Sequence, residues 1–197
     1  LVNQEKIAQL AQDLDGLLLL DEAYVDFVDP GKNYDSVPLI KEIESVVILR
    51  TLSKGYSLAG LRLGYGIGPH QLIQPMLSKT RDSYNLDGLS QFIGCRALDD
   101  STHALKNCEL VRHERSKLRI EFNKLGFQVA PSETNFILVT APQNHNAAEL
   151  YLALKQKNIL IRFFNHDGLS NKLRVTVGTR RENKQLIKVL KKLILAP

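Results

Sequence analysis

Four consecutive leucines, Leu17 to Leu20, run directly into Asp21-Glu22-Ala23-Tyr24. An apolar run this short, bounded by polar residues, suits a strand covered on both faces, as in a parallel sheet. Asp21 then stands at the carboxyl end of that strand. A second apolar run, Val46 to Leu49, follows a loop rich in Pro, Gly, Asn and Asp and a short, weak helical stretch near 37–44. That is enough chain for a crossover to a parallel neighbour. Polar groups after both strands therefore reach one edge of one sheet, which is where open α/β sheets bind ligands.

The second strand leads into Thr51-Leu52-Ser53-Lys54-Gly55, with Arg62 downstream in a Gly- and Leu-rich stretch. A lysine that traps a carbonyl group must be fixed on a rigid scaffold, with its charge tuned by burial or by neighbours. Taken alone, Lys54 is one of 26 Lys and Arg residues and reads as a solvated turn residue. Its neighbours change that reading. A carboxylate at Asp21, a phenol at Tyr24, an amine at Lys54 and a guanidinium at Arg62 together meet the needs of pyridoxal 5'-phosphate. Its pyridine nitrogen takes a carboxylate, its aldehyde a lysine and its phosphate several donors.

With these residues placed, the chain resembles the C-terminal part of a fold-type-I pyridoxal-phosphate aminotransferase. Asp21-Glu22-Ala23-Tyr24-Val25-Asp26-Phe27 resembles the histidinol-phosphate aminotransferase branch. Ser83-Tyr84-Asn85-Leu86-Asp87-Gly88-Leu89-Ser90-Gln91 resembles the segment after that family's lysine strand. Pro131-Ser132-Glu133-Thr134-Asn135-Phe136 resembles the start of a small-domain strand, and Leu173-Arg174-Val175-Thr176-Val177-Gly178-Thr179 the final arginine strand. With the lysine segment that begins at Thr51, these make five motifs, which run in the family's order over essentially the whole chain.

The resemblance implies an α/β fold: part of a large domain with a mostly parallel sheet, then a smaller α+β domain. It implies that Lys54 anchors the cofactor and moves the proton from the substrate's Cα. Asp21 would partner the pyridine nitrogen and Tyr24 the cofactor's phenolic oxygen, while Ser53 and Arg62 hold the phosphate. Arg174 would bind the substrate carboxylate or another anionic group, with Arg162 as a second substrate arginine, although Phe163-Phe164-Asn165 alters the usual loop beside it. Asn85 and Asn135 match motif positions and equally suit turns. The implied reaction moves an amino group between glutamate and imidazole-acetol phosphate, in histidine biosynthesis. The alternatives are an aromatic amino-acid aminotransferase, a phosphothreonine decarboxylase-like enzyme, or a non-catalytic domain of the same fold. Small amino-acid and keto-acid substrates and a homodimer of the complete protein are also implied. Family members carry a further N-terminal half with a phosphate turn, a ring-stacking aromatic and an asparagine. None of these has a match upstream of Asp21, so the chain is expected to be a fragment or a truncated gene product.

A hydrophobic content of 44% and a charged content of 24% are ordinary for a globular chain of 197 residues. No stretch approaches the roughly 20 apolar residues of a membrane span, and no signal segment is evident, so no membrane partner and a cytoplasmic location are expected. Cys95 and Cys108 lack metal-type spacing and read as reduced. His70, His103, His113, His145 and His166 are scattered without ligand pairing, so no metal is expected. The net charge of +5 invites a nucleic-acid partner. However, much of it lies on late helices such as 182–194, where lysines oppose a regular apolar face and read as a solvated back. No nucleic-acid partner is expected.

Along the chain, helices are expected at about 2–14, 71–79, 88–98, 101–125, 147–157 and 179–195. Strands are expected at 17–20, 46–51, 61–67, 127–140, 159–164 and 173–177. Asp87 caps one helix, Gly126 ends another, and Thr179 with Glu182 forms a capping box for the last. Gly60, Gly64, Gly66 and Gly68 lie in and around a strand rather than in a turn opening a helix, so they are no dinucleotide fingerprint. The change in character after the long helix puts the domain boundary at 114/115, dividing a cofactor-binding part, 1–114, from a small domain, 115–197.

Overall fold

The computed structural model describes residues 1–195. It consists of two compact units, Leu1–Cys108 and Glu109–Pro197. The first opens with α1 (Gln4–Asp13), whose first turn is capped by the Asn3 side chain accepting the Glu5 N–H at 2.8 Å. Ile7 and Ala11 give it a buried face. It leads to β1 (Leu18–Asp21), α2 (Leu39–Glu42), β2 (Val46–Thr51) and β3 (Gly64–Ile67). β1 and β2 are parallel, with Leu18 opposite Val46 and Asp21 opposite Leu49, whereas β3 is antiparallel to β2. α3 (His70–Pro75) continues into a π turn, Met76–Thr80. α4 (Gly88–Asp99) is capped as expected by Asp87, which accepts the Ser90 N–H at 2.9 Å.

Two expectations need correction in this unit. The leucine run forms its strand but is not covered on both faces, because Leu17 and Leu19 are 57% and 59% exposed. β1 is the outer strand of the order β1-β2-β3. Its cover comes from one side, where Ala11, Val46 and Ile48 pack with Leu18, Leu20, Val37, Ile40, Ile43 and Ile67. The strand expected over 61–67 begins only at Gly64. Ala59–Leu61 form a 3-10 turn, and Arg62 has a left-handed backbone (φ 55°, ψ 33°) that no strand residue can adopt. Gly64 is needed at the start of β3, since a β-carbon there would stand 2.9 Å from the Arg50 carbonyl oxygen.

α5 (Ser101–Lys124) carries the chain into the second unit, where Gly126 follows at φ 82°. β4 (Gln128–Val129), β5 (Phe136–Thr140), α6 (Ala147–Gln156), β6 (Arg162–Phe163), β7 (Lys172–Thr176) and α7 (Arg180–Leu195) complete it. The sheet order is β4-β5-β7-β6, with every neighbouring pair antiparallel. The single strand expected over 127–140 is two strands. Ser132 and Thr134 both hydrogen-bond the Phe136 carbonyl, at 2.6 and 3.0 Å, and fold residues 131–135 into a connection. Likewise, only Arg162–Phe163 of 159–164 pairs in the sheet. Phe122, Leu118, Leu154 and Leu190 pack with Ile137, Val139, Leu173 and Val175 to form the core of this unit. α7 buries Leu186, Ile187 and Leu190 and exposes Lys184, Lys188 and Lys191.

Candidate active site

β2 delivers the chain to Leu52, which is buried, and the next six residues fold back on it. The Leu58 N–H donates to the Leu52 carbonyl at 3.0 Å, and the Ser57 N–H to the Lys54 carbonyl at 3.1 Å. Ser57 closes the turn with φ 59°. Thr51 Oγ1 accepts the Ser53 N–H at 3.1 Å and lies 2.9 Å from Ser53 Oγ and 3.1 Å from the Leu63 carbonyl oxygen. Ser53 is thereby oriented by the end of the strand before it. The Lys54 side chain is exposed, and its Nζ stands 5.8 Å from the centre of the Tyr24 ring, an attractive contact for a cation over an aromatic face.

Asp21 is exposed at the carboxyl end of β1, where its Oδ1 accepts the Ala23 N–H at 3.0 Å. It borders an open depression of about 410 Å³ with Leu49, Arg50, Thr51, Gly64 and Tyr65. The register brings the ends of β1 and β2 side by side, as the sequence suggested. Arg62 is exposed, and its Nη1 donates to the Ala59 carbonyl at 2.9 Å, so one guanidinium donor supports its own turn. Asn85 is exposed, and the Asn135 carbonyl accepts the Val177 N–H at 2.8 Å.

Sequence reasoning missed the neighbour of Asp21. Successive strand residues face opposite ways, so where Asp21 is exposed Glu22 is buried. A buried carboxylate needs donors, and Glu22 has four. Arg50 supplies Nε at 3.0 Å and Nη2 at 2.9 Å, the Tyr34 hydroxyl donates at 3.0 Å, and Ser36 Oγ also donates. Burial, together with the negative charge and hydrogen bond of Glu22, pushes the Tyr34 pKa up to about 12. Burial pulls the Arg50 guanidinium pKa down, but its bond to Glu22 outweighs this and raises it. Asp26, on the turn after Tyr24, is raised by burial, with the Arg50 charge opposing. The signal for Glu22 was present in the sequence as a carboxylate one step out of phase with Asp21.

In the second unit, Arg162 and Arg174 are directly opposite each other on β6 and β7. Their side chains share a face, and like charges so placed repel. Aromatic rings offset this. The Arg174 guanidinium lies 5.2 Å from the Phe136 ring centre and 5.8 Å from that of Phe164, and the Arg162 guanidinium lies 5.6 Å from Phe164. Among the described residues no carboxylate pairs with either arginine. Two guanidinium groups beside one ring, without a carboxylate partner among the described residues, have the charge and the donors that an anion requires. Phe164, which looked like a departure from the expected loop, is in contact range of both.

Among the described residues no group of His, Cys, Asp and Glu could hold a metal ion, and no helix is long and apolar enough to cross a membrane. The sequence model of the aminotransferase class I and II family matches residues 3–190. The chain belongs to the class I and II aminotransferases. It is 42% identical over 193 residues to histidinol-phosphate aminotransferase 1 of Nostoc sp., covering 98% of this chain and 53% of that protein. It is 45% identical over 186 residues to the histidinol-phosphate aminotransferase of Synechocystis sp., covering 94% and 52%. The chain thus spans about half the length of these relatives. Among solved structures, the histidinol-phosphate aminotransferase of Clostridium acetobutylicum superposes with a TM-score of 0.89 at 26% identity, covering 100% of this chain and 60% of that one. The fold recurs, at a TM-score of 0.86 and 24% identity, in the Sinorhizobium meliloti histidinol-phosphate aminotransferase solved in complex with pyridoxal-5'-phosphate, covering 99% of this chain and 54% of that one.

The residues of the first unit fit pyridoxal phosphate chemically. A lysine amine, a phenol, an exposed carboxylate, an oriented hydroxyl and a guanidinium lie on and beyond the adjacent ends of two parallel strands. Together they match the group's aldehyde, phenolic oxygen, ring nitrogen and phosphate.

Proposed function

We propose that this chain forms the lysine-bearing and arginine-bearing part of a pyridoxal-phosphate-dependent histidinol-phosphate aminotransferase. The observation that carries the reading is Lys54, held on a hydrogen-bonded loop above Tyr24 at the edge where β1 presents Asp21. When bound, pyridoxal phosphate supplies an electron sink for negative charge developing at the substrate's Cα. Lys54 would hold the cofactor at its aldehyde carbon, and its amine would carry the proton away from the substrate's Cα. Asp21 keeps the pyridine nitrogen protonated, and Tyr24 donates to the phenolic oxygen. Ser53 and Arg62 bind the phosphate. Residues 1–114 carry these functions, and residues 115–197 carry the substrate arginines.

The facing arginines favour a phosphate-bearing substrate. A phosphate monoester carries close to two negative charges at neutral pH and three acceptor oxygens, enough to engage two guanidinium groups. Histidinol phosphate, with glutamate as the other amino donor, fits this and the names of the relatives. The complete protein then acts in histidine biosynthesis, in the cytoplasm and as a homodimer. Replacing Lys54 by Ala in the complete, cofactor-loaded protein is expected to abolish the visible absorbance of the covalently held cofactor. Retention of that band rejects the lysine assignment. In single-turnover reactions histidinol phosphate is expected to convert the cofactor and phenylalanine is not. Reaction with phenylalanine alone points instead to an aromatic aminotransferase.

A further inference from the structure

The turn after Asp21 meets the lysine loop at two places, only one of which is Tyr24. Tyr24 caps a single 3-10 turn, Val25–Phe27, and Phe27 pins that turn with 3% of its surface exposed. Two residues beyond Tyr24, Asp26 is set against Gly55, the residue after Lys54. A β-carbon at position 55 would stand 2.3 Å from Asp26 Oδ2 and 2.6 Å from both its Cβ and its Cγ. Carbon atoms in good contact sit roughly 3.5–4.0 Å apart. Gly55 is not at a positive φ, so glycine is required here for space and not for backbone freedom. The Asp26 side chain fills the volume in which any other residue at 55 would begin. The Gly55 carbonyl meets the Cys108 thiol at 3.9 Å, and the loop is closed by the two backbone hydrogen bonds to Leu52 and Lys54. Burial raises the Asp26 pKa against the opposing charge of Arg50, as expected for a carboxyl covered by the loop it supports.

We propose that the turn Tyr24–Phe27 is a two-point template for Lys54, in which Tyr24 meets the amine and Asp26 fixes the backbone at Gly55. Asp26 is a positioning residue, acting on Lys54 through its contact with Gly55. The inference rests on the assignment of Lys54 as the cofactor anchor. Neither Tyr24 nor Lys54 reports the position of the loop by itself, because a lysine side chain has four rotatable bonds and could reach the ring from several backbone placements. The Asp26 contact has no such freedom. It lies one residue from the lysine Cα and leaves no room for a methyl group.

The test uses the full-length, cofactor-loaded protein, and Lys54→Ala comes first. If its visible absorbance persists, the reading of the site fails whatever Asp26 does. If it is lost, Asp26→Gly, Gly55→Ala and the double swap are compared. Asp26→Gly removes the support and Gly55→Ala collides with it. Each is expected to lower kcat by about 10²-fold, the scale of an ångström-sized misplacement, while KM stays within about threefold. The swap places a β-carbon from position 55 in the space vacated at position 26, so kcat should recover to within about tenfold of the parent. Losses that simply multiply in the double variant overturn the proposal. Asp26→Asn keeps the shape and is expected to lose less than Asp26→Gly. Equal losses make charge the active property and overturn the contact argument.

A second measurement needs no cofactor. In the 197-residue chain, Asp26→Gly and Gly55→Ala should each speed amide exchange at Ser57 and Leu58, and the swap should slow it again. Faster exchange throughout residues 1–108 would mark general destabilisation and overturn the positioning role.

Discussion

The two arginines of the second unit show how much one residue can depend on its partner. Arg162 and Arg174 are opposite each other and share the Phe164 ring, so the charge of each raises the cost of the other, and a bound anion would lower it. Arg174→Ala in the complete protein is expected to raise KM for histidinol phosphate by roughly 10²-fold, since removing one partner of a charged hydrogen-bonded contact costs about 2–5 kcal/mol. Arg174→Lys should recover only part of this, because an ammonium lacks the planar fork of donors. Steady-state kinetics check both, and an unchanged KM in Arg174→Ala would remove this arginine from the site. Glu22 makes the complementary case for stability. Glu22→Gln leaves Arg50 without its carboxylate and is expected to destabilise the chain by about 3 kcal/mol, read as a lower urea midpoint. Asp21, Arg162 and Arg174 stand out as candidates in the sequence because each ends or interrupts an apolar pattern, and Lys54 stands out only through its neighbours. Glu22 and Asp26 do not. Both lie inside a motif that already had an explanation, and their partners Arg50 and Gly55 are close only through the strand register and the fold of the turn.

At the scale of elements, local chemistry predicted ends better than extents. The capping box of α7 forms as the spacing of Thr179 and Glu182 indicates. Glu182 Oε2 accepts the Thr179 N–H at 2.8 Å, and Thr179 Oγ1 accepts the Glu182 N–H at 3.4 Å. Thr179→Ala is expected to cost about 1 kcal/mol, as N-cap losses do, and a denaturant titration measures it. The hydrogen bonds from Thr179 hold the Glu182 pKa below the ordinary glutamate range. A depressed carboxylate stabilises the fold above its unfolded pKa and loses that contribution as pH falls through the folded value. The stability difference between the parent and Glu182→Gln should therefore be full at neutral pH and vanish in acid. A difference that persists in acid would show that the charge is irrelevant. The strands were overextended because hydrophobicity marks what is buried and not what is paired. Phe127 and Ile161 are apolar, yet they lie outside strands fixed by registers such as Phe136 opposite Thr176. Arg62 broke the expected strand through a backbone conformation that side-chain polarity does not signal.

At the scale of the whole molecule, the question is how much of a cofactor site 197 residues can hold. The chain spans about half the length of its relatives, and its first unit leaves Leu17 just before β1, Leu19 on β1 and Tyr65 on β3 exposed beside a three-stranded sheet. The depression beside Asp21 is open, and its lining includes neither Lys54 nor Arg62. An open site leaves a ligand's charges in water, where each contact is weak, and it cannot exclude solvent from a covalent bond that water hydrolyses. Lys54 by itself can still react with the aldehyde, so some binding is expected. The 197-residue chain is therefore predicted to bind pyridoxal phosphate at least about 10²-fold more weakly than the complete protein, a deficit of about 2.7 kcal/mol. Titration followed by visible absorbance, with Lys54→Ala as the blank, measures this directly. Equal affinities would mean that Asp21, Tyr24, Ser53, Lys54 and Arg62 suffice to hold the cofactor, and that the remainder of the longer relatives serves the substrate and the reaction instead.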